Sequence, residues 1–446
     1  MNTTTTATAS ATATATANNA NNANNAASNA SGGAPETVFQ LPEKTSFTLE
    51  NGIKIKFGKD TDIGGSSINQ DACCAFKFKS ETLNKSGFAI CVADGHGDKG
   101  EISSSIGITS LQKLIRDNVD ELFTEPIQFL NRAFIHIHDQ IKIGLIEQLT
   151  KEKFEVEVKI ETGEILKRRM PSHAFTSLKS GTTFSVIVLL DNKLYIANVG
   201  DSTGILYSEK PVLKPSHLKH ELNASVLPNT DSLDEPSTYI ELTGDHSPEN
   251  PQEYIRMRKV KCSEENPLFA ELMCVYNEEK PKHMCPHVFD ISAEGVPTVR
   301  PEDGSFGFHY KTVRKEKATY VTDKYGNDAL SVTRALGDYA LSYRGVSCEP
   351  EIRSVDLETI FSQMNPEEAT VAVVLCSDGV WDNWIYDHVG KFMFDKSCLN
   401  ALATDTERGA ERITKSFMLR NQAFAKKNFG WNSDNATGIV MYIEKR

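Results

Sequence analysis

Apolar residues recur along this chain in two rhythms. FAICVA (88–93), TTFSVIVLL (182–190), KLYIANVG (193–200), ATVAVVLCS (369–377) and TGIVMYI (437–443) are nearly unbroken apolar runs rich in β-branched residues, the pattern of buried strands. Asp191-Asn192 separates two of these runs and predicts a short polar turn between paired strands. Residues 103–123, 125–149 and 407–427 have helical spacing instead. Hairpins together with long helical blocks predict antiparallel sheets covered by helices, an α+β chain rather than a βαβ repeat.

Three stretches have neither rhythm. Residues 1–43 are largely Thr/Ala and Asn/Ala tracts with few large apolar groups, so nothing offsets the entropy of ordering them, and a disordered low-complexity tail is expected. It lacks the arginine-rich amphipathic character of a transit peptide and the apolar core of a signal peptide. The globular region is expected over 44–446. Within it, 205–240 and 258–330 read as loop-rich insertions, polar and interrupted by proline.

Composition narrows the function. The net charge of −12 over 446 residues gives no support for a general nucleic-acid binder, which needs a basic face. Nine cysteines without paired spacing predict reduced thiols and a cytoplasmic or nuclear protein. No run reaches the roughly 18 apolar residues of a membrane span. Cys262, Cys274, His283, Cys285 and His287 could hold zinc by residue type, but they lack a close CxxC pair and read as unrelated side chains. Trp381, Trp384 and Trp431 are expected in the core.

The candidate chemistry lies where the apolar runs stop. Asp94-Gly95, Asp201-Ser202 and Asp378-Gly379 each follow such a run, and Asp434-Asn435 precedes one. Strands of one sheet system deliver their ends to a common edge, where converging carboxylates repel unless a cation neutralises them. Oxygen donors without thiol or imidazole suit Mg²⁺ or Mn²⁺.

These residues carry a resemblance. CVADGHGDKG (91–100), SGTTFSVIVLLDNKLYIANVGDSTGIL (180–206), LTGDHSPENPQEYIRM (242–257), LSVTRALGD (330–338), LCSDGVWD (375–382) and SDNATGIVMYI (433–443) resemble, in order, the motif blocks of the metal-dependent protein Ser/Thr phosphatases of type 2C. The resemblance implies a four-layer α/β/β/α sandwich of two antiparallel sheets flanked by helices. It also implies hydrolysis of phosphoserine and phosphothreonine by direct attack of a hydroxide bridging two Mn²⁺ or Mg²⁺ ions. Asp94 and the Gly95 carbonyl, with Asp378 and Asp434, would be the metal ligands, Asp71 an outer-shell residue, and Asp201 with Asp378 a weaker third ion site. His96 would be the general acid that protonates the leaving alkoxide.

Three positions depart from the family pattern. Ser66 stands where many members have a phosphate-binding arginine, Gln70 where an acidic residue is frequent, and Thr203 where arginine is usual. The substrate-binding residues are therefore unassigned. Expected partners are phosphorylated proteins acted on by a monomer, without nucleic acid or membrane. The rival to an active enzyme is a catalytically weak scaffold that binds phosphoproteins; a further rival is a nuclease or small-metabolite phosphatase.

Overall fold

The computed structural model describes residues 45–213, 218–222, 236–260, 271–300, 309–326, 328–364 and 369–445. The expected low-complexity tail lies outside the described residues.

Two antiparallel sheets stack face to face. One has six strands in the order Ser46–Thr48, Lys54–Asp62, Ala436–Glu444, Thr370–Cys376, Thr203–Leu213 and Pro236–Glu241. The other runs Leu218–Leu222, Glu351–Asp356, Lys193–Val199, Phe184–Leu190, Lys85–Gly97, Ser180–Thr182 and Leu336–Gly337, with Asp71–Ser80 also paired to Lys85–Gly97.

The unbroken apolar runs have a direct cause, because these strands are buried on both faces. Along Lys85–Gly97, Phe88, Ile90 and Val92 enter the core between the sheets, while Ala89, Cys91 and Ala93 pack under the helices Gly100–Asp117 and Pro126–Lys151. Along Thr370–Cys376, Val371, Val373 and Leu375 face the inter-sheet core. Ala372, Val374 and Cys376 meet Phe417 and Met418 of the helix Gly409–Asn428 on the outer side. Three apolar interfaces separating four layers make an α/β/β/α sandwich, as expected.

Several boundaries differ from the sequence reading. The strand that begins at Lys85 does not end at Asp94 but continues to Gly97. Ser180–Thr182 takes over its backbone ladder from Phe184–Leu190, and ladder bonds are indifferent to side-chain polarity. The helical block 103–123 is two helices, Gly100–Asp117 and Val119–Thr124, divided at Asn118. The 205–240 stretch is not loop throughout: Thr203–Leu213 and Pro236–Glu241 pair antiparallel in the six-stranded sheet, and Leu218–Leu222 between them joins the other sheet.

The second insertion also has structure. Leu272–Tyr276, Thr319–Asp323 and Ala329–Leu330 form a small sheet, and Phe289–Ile291 pairs with Pro297–Val299. Cys274, Tyr276, Val288, Phe289 and Val321 form a core there with Met257 of the Pro251–Arg258 helix. Trp381 and Trp384 are buried as expected, whereas Trp431 is 92% exposed in the short turn Gly430–Asn432. Among the described residues, no helix is long and apolar enough to cross a membrane.

Candidate metal centre and active site

The register of one strand pair begins the site. Asp71 opens the strand Asp71–Ser80 and pairs directly with Asp94. Ala75 shares Asp71's face and Val92 shares that of Asp94, and both belong to the inter-sheet core, so period-2 alternation aims the two carboxylates between the sheets. From the other sheet, Thr370–Cys376 ends one residue before Ser377, and Asp378 opens the short helix Asp378–Trp381. The Ser377 hydroxyl donates to Asp71 Oδ2 (2.8 Å) and accepts from the Thr437 amide (2.9 Å), tying the sheets together at this edge. Asp434 stands just before Ala436–Glu444, where Asn435 Oδ1 accepts from the Gln70 amide (2.8 Å). Asp94, Asp378 and Asp434, three of the four carboxylates predicted to converge, are thus brought together with Asp71, and the charge of the fourth, Asp201, also acts on Asp94.

Gly95 has a steric reason to be glycine. A Cβ there would lie 2.3 Å from the Gly100 carbonyl oxygen and 2.5 Å from that of Gln70. The Gln70 side chain donates to the Gly97 carbonyl (3.0 Å) and to Glu101 (3.2 Å), so it ties the entry strand to the start of the next helix. Ser66 is exposed, and Thr203 donates to the Asp201 carbonyl (2.9 Å).

Crowded carboxylates resist ionisation. Burial and then the charges of Asp71, Asp378 and Asp434 hold Asp94 well above the usual carboxylate range. Burial is the leading cause at Asp71 too, where Asp378 and Asp434 add to it and the Ser377 and Thr437 hydroxyls oppose it, leaving the pKa at about 7. Asp434, near the mouth, is pushed up to about 6 by burial and then by Asp378. Asp71 Oδ1 and Asp378 Oδ1 are buried without a hydrogen-bond partner.

Among the described residues, no three His, Cys, Asp or Glu side chains are arranged to hold one metal ion by themselves. Magnesium-type ions do not ask for that. They keep several waters and bind through one or two carboxylates, and carbonyl oxygens complete such sites. The all-oxygen donor set, its mutual repulsion and the orphaned oxygens fit a divalent cation.

Beside the carboxylates, His96 Nε2 lies 2.7 Å from Asp338 Oδ2. Burial works against a charged imidazole, but the Asp338 charge and hydrogen bond, helped by Asp201 and Asp378, outweigh it, and the pKa is raised. Asp338 is the residue that sequence reasoning passed over. It sits in the left-handed region (φ 46°), which aspartate tolerates better than most residues, and its amide donates to the Ser180 carbonyl (2.9 Å). His138 supports it from the helix Pro126–Lys151: its Nδ1 accepts from the Gly337 amide (3.1 Å), and the Tyr339 hydroxyl donates to its carbonyl (2.6 Å).

Asp201 is positioned by a second buried network. Gly200 (φ 94°) turns the chain, and its amide donates to His246 Nδ1 (3.1 Å). His246 Nε2 faces Glu351 (3.3 Å), and Glu253 accepts from Arg334 and Arg256. The LTGDHSPENPQEYIRM and TRALGD blocks therefore act together as a scaffold behind the loop that carries Asp201.

The insertion supplies the opposite wall. Lys311 Nζ lies 2.7 Å from Asp201 Oδ2 and 3.3 Å from Asp378 Oδ2. Burial alone would favour the neutral amine, but Asp201, Asp378 and Asp382 keep it a cation, with a pKa well above the lysine range. A cavity of about 790 Å³ opens here, lined by Asp201, Lys311, Arg314, Lys317, Asp378 and Asp434 among others. Among the described residues the zinc candidates form no site: His283 and His287 are exposed, and burial pushes the Cys274 thiol up to about 12, while Cys262 lies outside the described residues. Cys285 Sγ faces the carbonyls of Lys280 and Pro281 (3.7 Å each).

Comparison with known proteins decides the family. The family model described as Protein phosphatase 2C matches residues 67–272 and 313–413. The chain belongs to the protein phosphatase 2C family. Protein phosphatase 1H of Xenopus tropicalis is 23% identical over 267 residues, covering 58% of this chain and 43% of that protein. The human protein phosphatase 1H is 22% identical over 267 residues, with 58% and 42% covered. The chain thus spans less than half the length of the curated relatives it matches. The crystal structure of a serine-threonine phosphatase 2C from Toxoplasma gondii aligns with a TM-score of 0.48 at 17% identity, over 91% of this chain and 98% of that one. A sex-determining protein of C. elegans aligns with a TM-score of 0.49 at 14% identity, over 87% and 64%. Residues 273–312, which the protein phosphatase 2C pattern skips, include Lys311 and much of the insertion.

Proposed function

We propose that this chain is a protein serine/threonine phosphatase dependent on Mn²⁺ or Mg²⁺. The observation that carries the reading is the convergence of Asp71, Asp94, Asp378 and Asp434 on one cleft, where Asp71 and Asp378 each keep a buried oxygen without a partner. Asp94, the Gly95 carbonyl, Asp378 and Asp434 are the residues that would hold two ions, with Asp71 ordering water beyond them. Bound there, the ions supply charge neutralisation at the phosphoryl oxygens and acidify water for direct hydrolysis, with no phosphoenzyme.

The chain's own groups do the rest. Asp338 grips His96 at Nε2 and favours the imidazolium. The second ring nitrogen, Nδ1, is then the atom that hands a proton to the departing seryl or threonyl oxygen. The cavity has a size suited to a phosphorylated side chain with its flanking residues. The acidic total of the chain favours no nucleic-acid substrate. Phosphoproteins of the cytosol or nucleus are the proposed substrates, and a monomer the proposed form.

Competition tests the substrate class. A phosphothreonine peptide is expected to be hydrolysed with Mn²⁺ or Mg²⁺ and not with EDTA, and to be preferred over nucleotides and sugar phosphates. Preference for the small metabolites would overturn the protein-phosphatase reading. Tight peptide binding with no turnover would favour the scaffold.

A further inference from the structure

Lys311 reaches the carboxylates on a hairpin fixed to the element that carries one of them. Tyr310 pairs with Lys317, the Lys311 amide donates to the Glu316 carbonyl (2.8 Å), and Lys315 makes the turn at φ 63°. Arg314 pins the hairpin: its guanidinium donates to the carbonyls of Trp381 and Trp384 (2.7 Å to the latter) and lies 4.6 Å over the Tyr386 ring. The Val313 amide adds a bond to the Asp382 carbonyl (2.9 Å). All these anchors lie between Trp381 and Tyr386, from the end of the helix that opens at Asp378 to the first residue of the next one. The ammonium is therefore held at a set place relative to Asp378 rather than drifting at the end of a free loop.

We propose that Lys311 Nζ takes the place of a divalent cation at the Asp201–Asp378 pair, so that this phosphatase holds two ions where a third would otherwise bind. The inference rests on the metal-dependent reading above. Its ground is that the ammonium already uses the oxygens an incoming ion would need: Asp201 Oδ2 at 2.7 Å and Asp378 Oδ2 at 3.3 Å. A divalent ion would approach these oxygens to roughly 2.1 Å, and a second cation cannot share that space without strong repulsion. Unlike an ion, the lysine is not diluted or chelated away. It arrives with the hairpin, so the charge at this pair is set by whether the insertion is docked.

Counting bound Mn²⁺ on the full chain tests this, by the free-ion paramagnetic resonance signal and by calorimetry. The wild type is expected to bind two ions and Lys311→Met three, the third being weaker and lost again in Lys311→Met/Asp201→Asn. Lys311→Arg, which keeps the cation, should stay at two. Arg314→Ala, which leaves Lys311 intact but frees the hairpin, should gain the third ion in part; melting curves check that each variant is folded. Two ions in both wild type and Lys311→Met, or three in both, would overturn the proposal while leaving the metal centre standing. No Mn²⁺ on either protein would overturn the metal-dependent reading, and this inference with it.

Discussion

The floor of the cleft and its wall are held in different ways. On the floor, Asp71 and Asp94 are neighbours in a strand register, and Ser377 bonds across to Asp71 from the opposite sheet. Backbone ladders buried on both faces fix these positions, so moving one carboxylate means breaking a sheet. The wall is a hairpin whose hold on the floor is a few side chains, with Arg314 and Lys311 foremost. Its own small core lies farther back, around Tyr276 and Val321. The lesson is that chemistry common to a family can rest on the ladder, while the charge that modulates it rides on a segment that can be changed without touching the sheets.

The largest expected effect breaks the floor. Asp94→Asn or Asp378→Asn should remove several kcal/mol of transition-state charge stabilisation, which at about 1.4 kcal/mol per decade is roughly a 10²–10³-fold loss of kcat. Metal titration of peptide turnover reads it, and melting curves should not fall, because Asn relieves the carboxylate repulsion. Next comes His96→Ala, expected to lower kcat by about 10²-fold on a phosphothreonine peptide and much less on an aryl phosphate, whose leaving group needs no acid. Equal losses on both substrates would remove His96 from the proton-donor role.

Breaking the wall should matter less for chemistry. Arg314→Ala is expected to raise hydrogen exchange over 309–318 and to shift KM for phosphopeptides a few-fold, with aryl phosphate turnover nearly kept. Deleting 262–318 should likewise alter the choice of protein substrate more than the hydrolysis of an aryl phosphate; equal loss of both would refute a substrate role for the insertion.

The smallest effect at neutral pH concerns His138. Burial and then Lys142 push its pKa down to about 4, so the fold prefers it neutral while the unfolded chain takes up a proton near 6.5. Its stability contribution is complete above pH 6.5 and is lost as pH falls toward 4. Burial and then Arg334 lower His246 in the same sense. Burial opposes ionisation of Glu351, but its bond to His246 and the charge of Arg353 prevail and hold it at about 2, so its contribution is lost below about 4.5. His138→Gln should therefore flatten part of the melting-temperature loss between pH 6.5 and 4 and leave the steeper loss below it.

The floor was legible in the sequence for a physical reason. A strand buried on both faces writes itself as an apolar run, and a carboxylate that halts such a run, as at Asp94 and Asp378, has few structural excuses. The wall was not legible. Cys274, Tyr276, Val288 and Val321 are core residues with no common period, separated by prolines and charges. Asp338 and Lys311 show their roles only when chain segments 242 and 67 residues apart meet His96 and Asp378. Trp431 misled because aromatic size predicts burial on average, and a turn residue at the rim escapes that average.

The account turns on the carboxylate floor as a catalytic metal site. The most direct measurement is hydrolysis of a phosphothreonine peptide by wild type and Asp378→Asn, each with Mn²⁺, with Mg²⁺ and with EDTA. The account predicts metal-dependent turnover in the wild type that EDTA abolishes and Asp378→Asn lacks. Turnover that survives EDTA, or that the mutant retains in full, would contradict it.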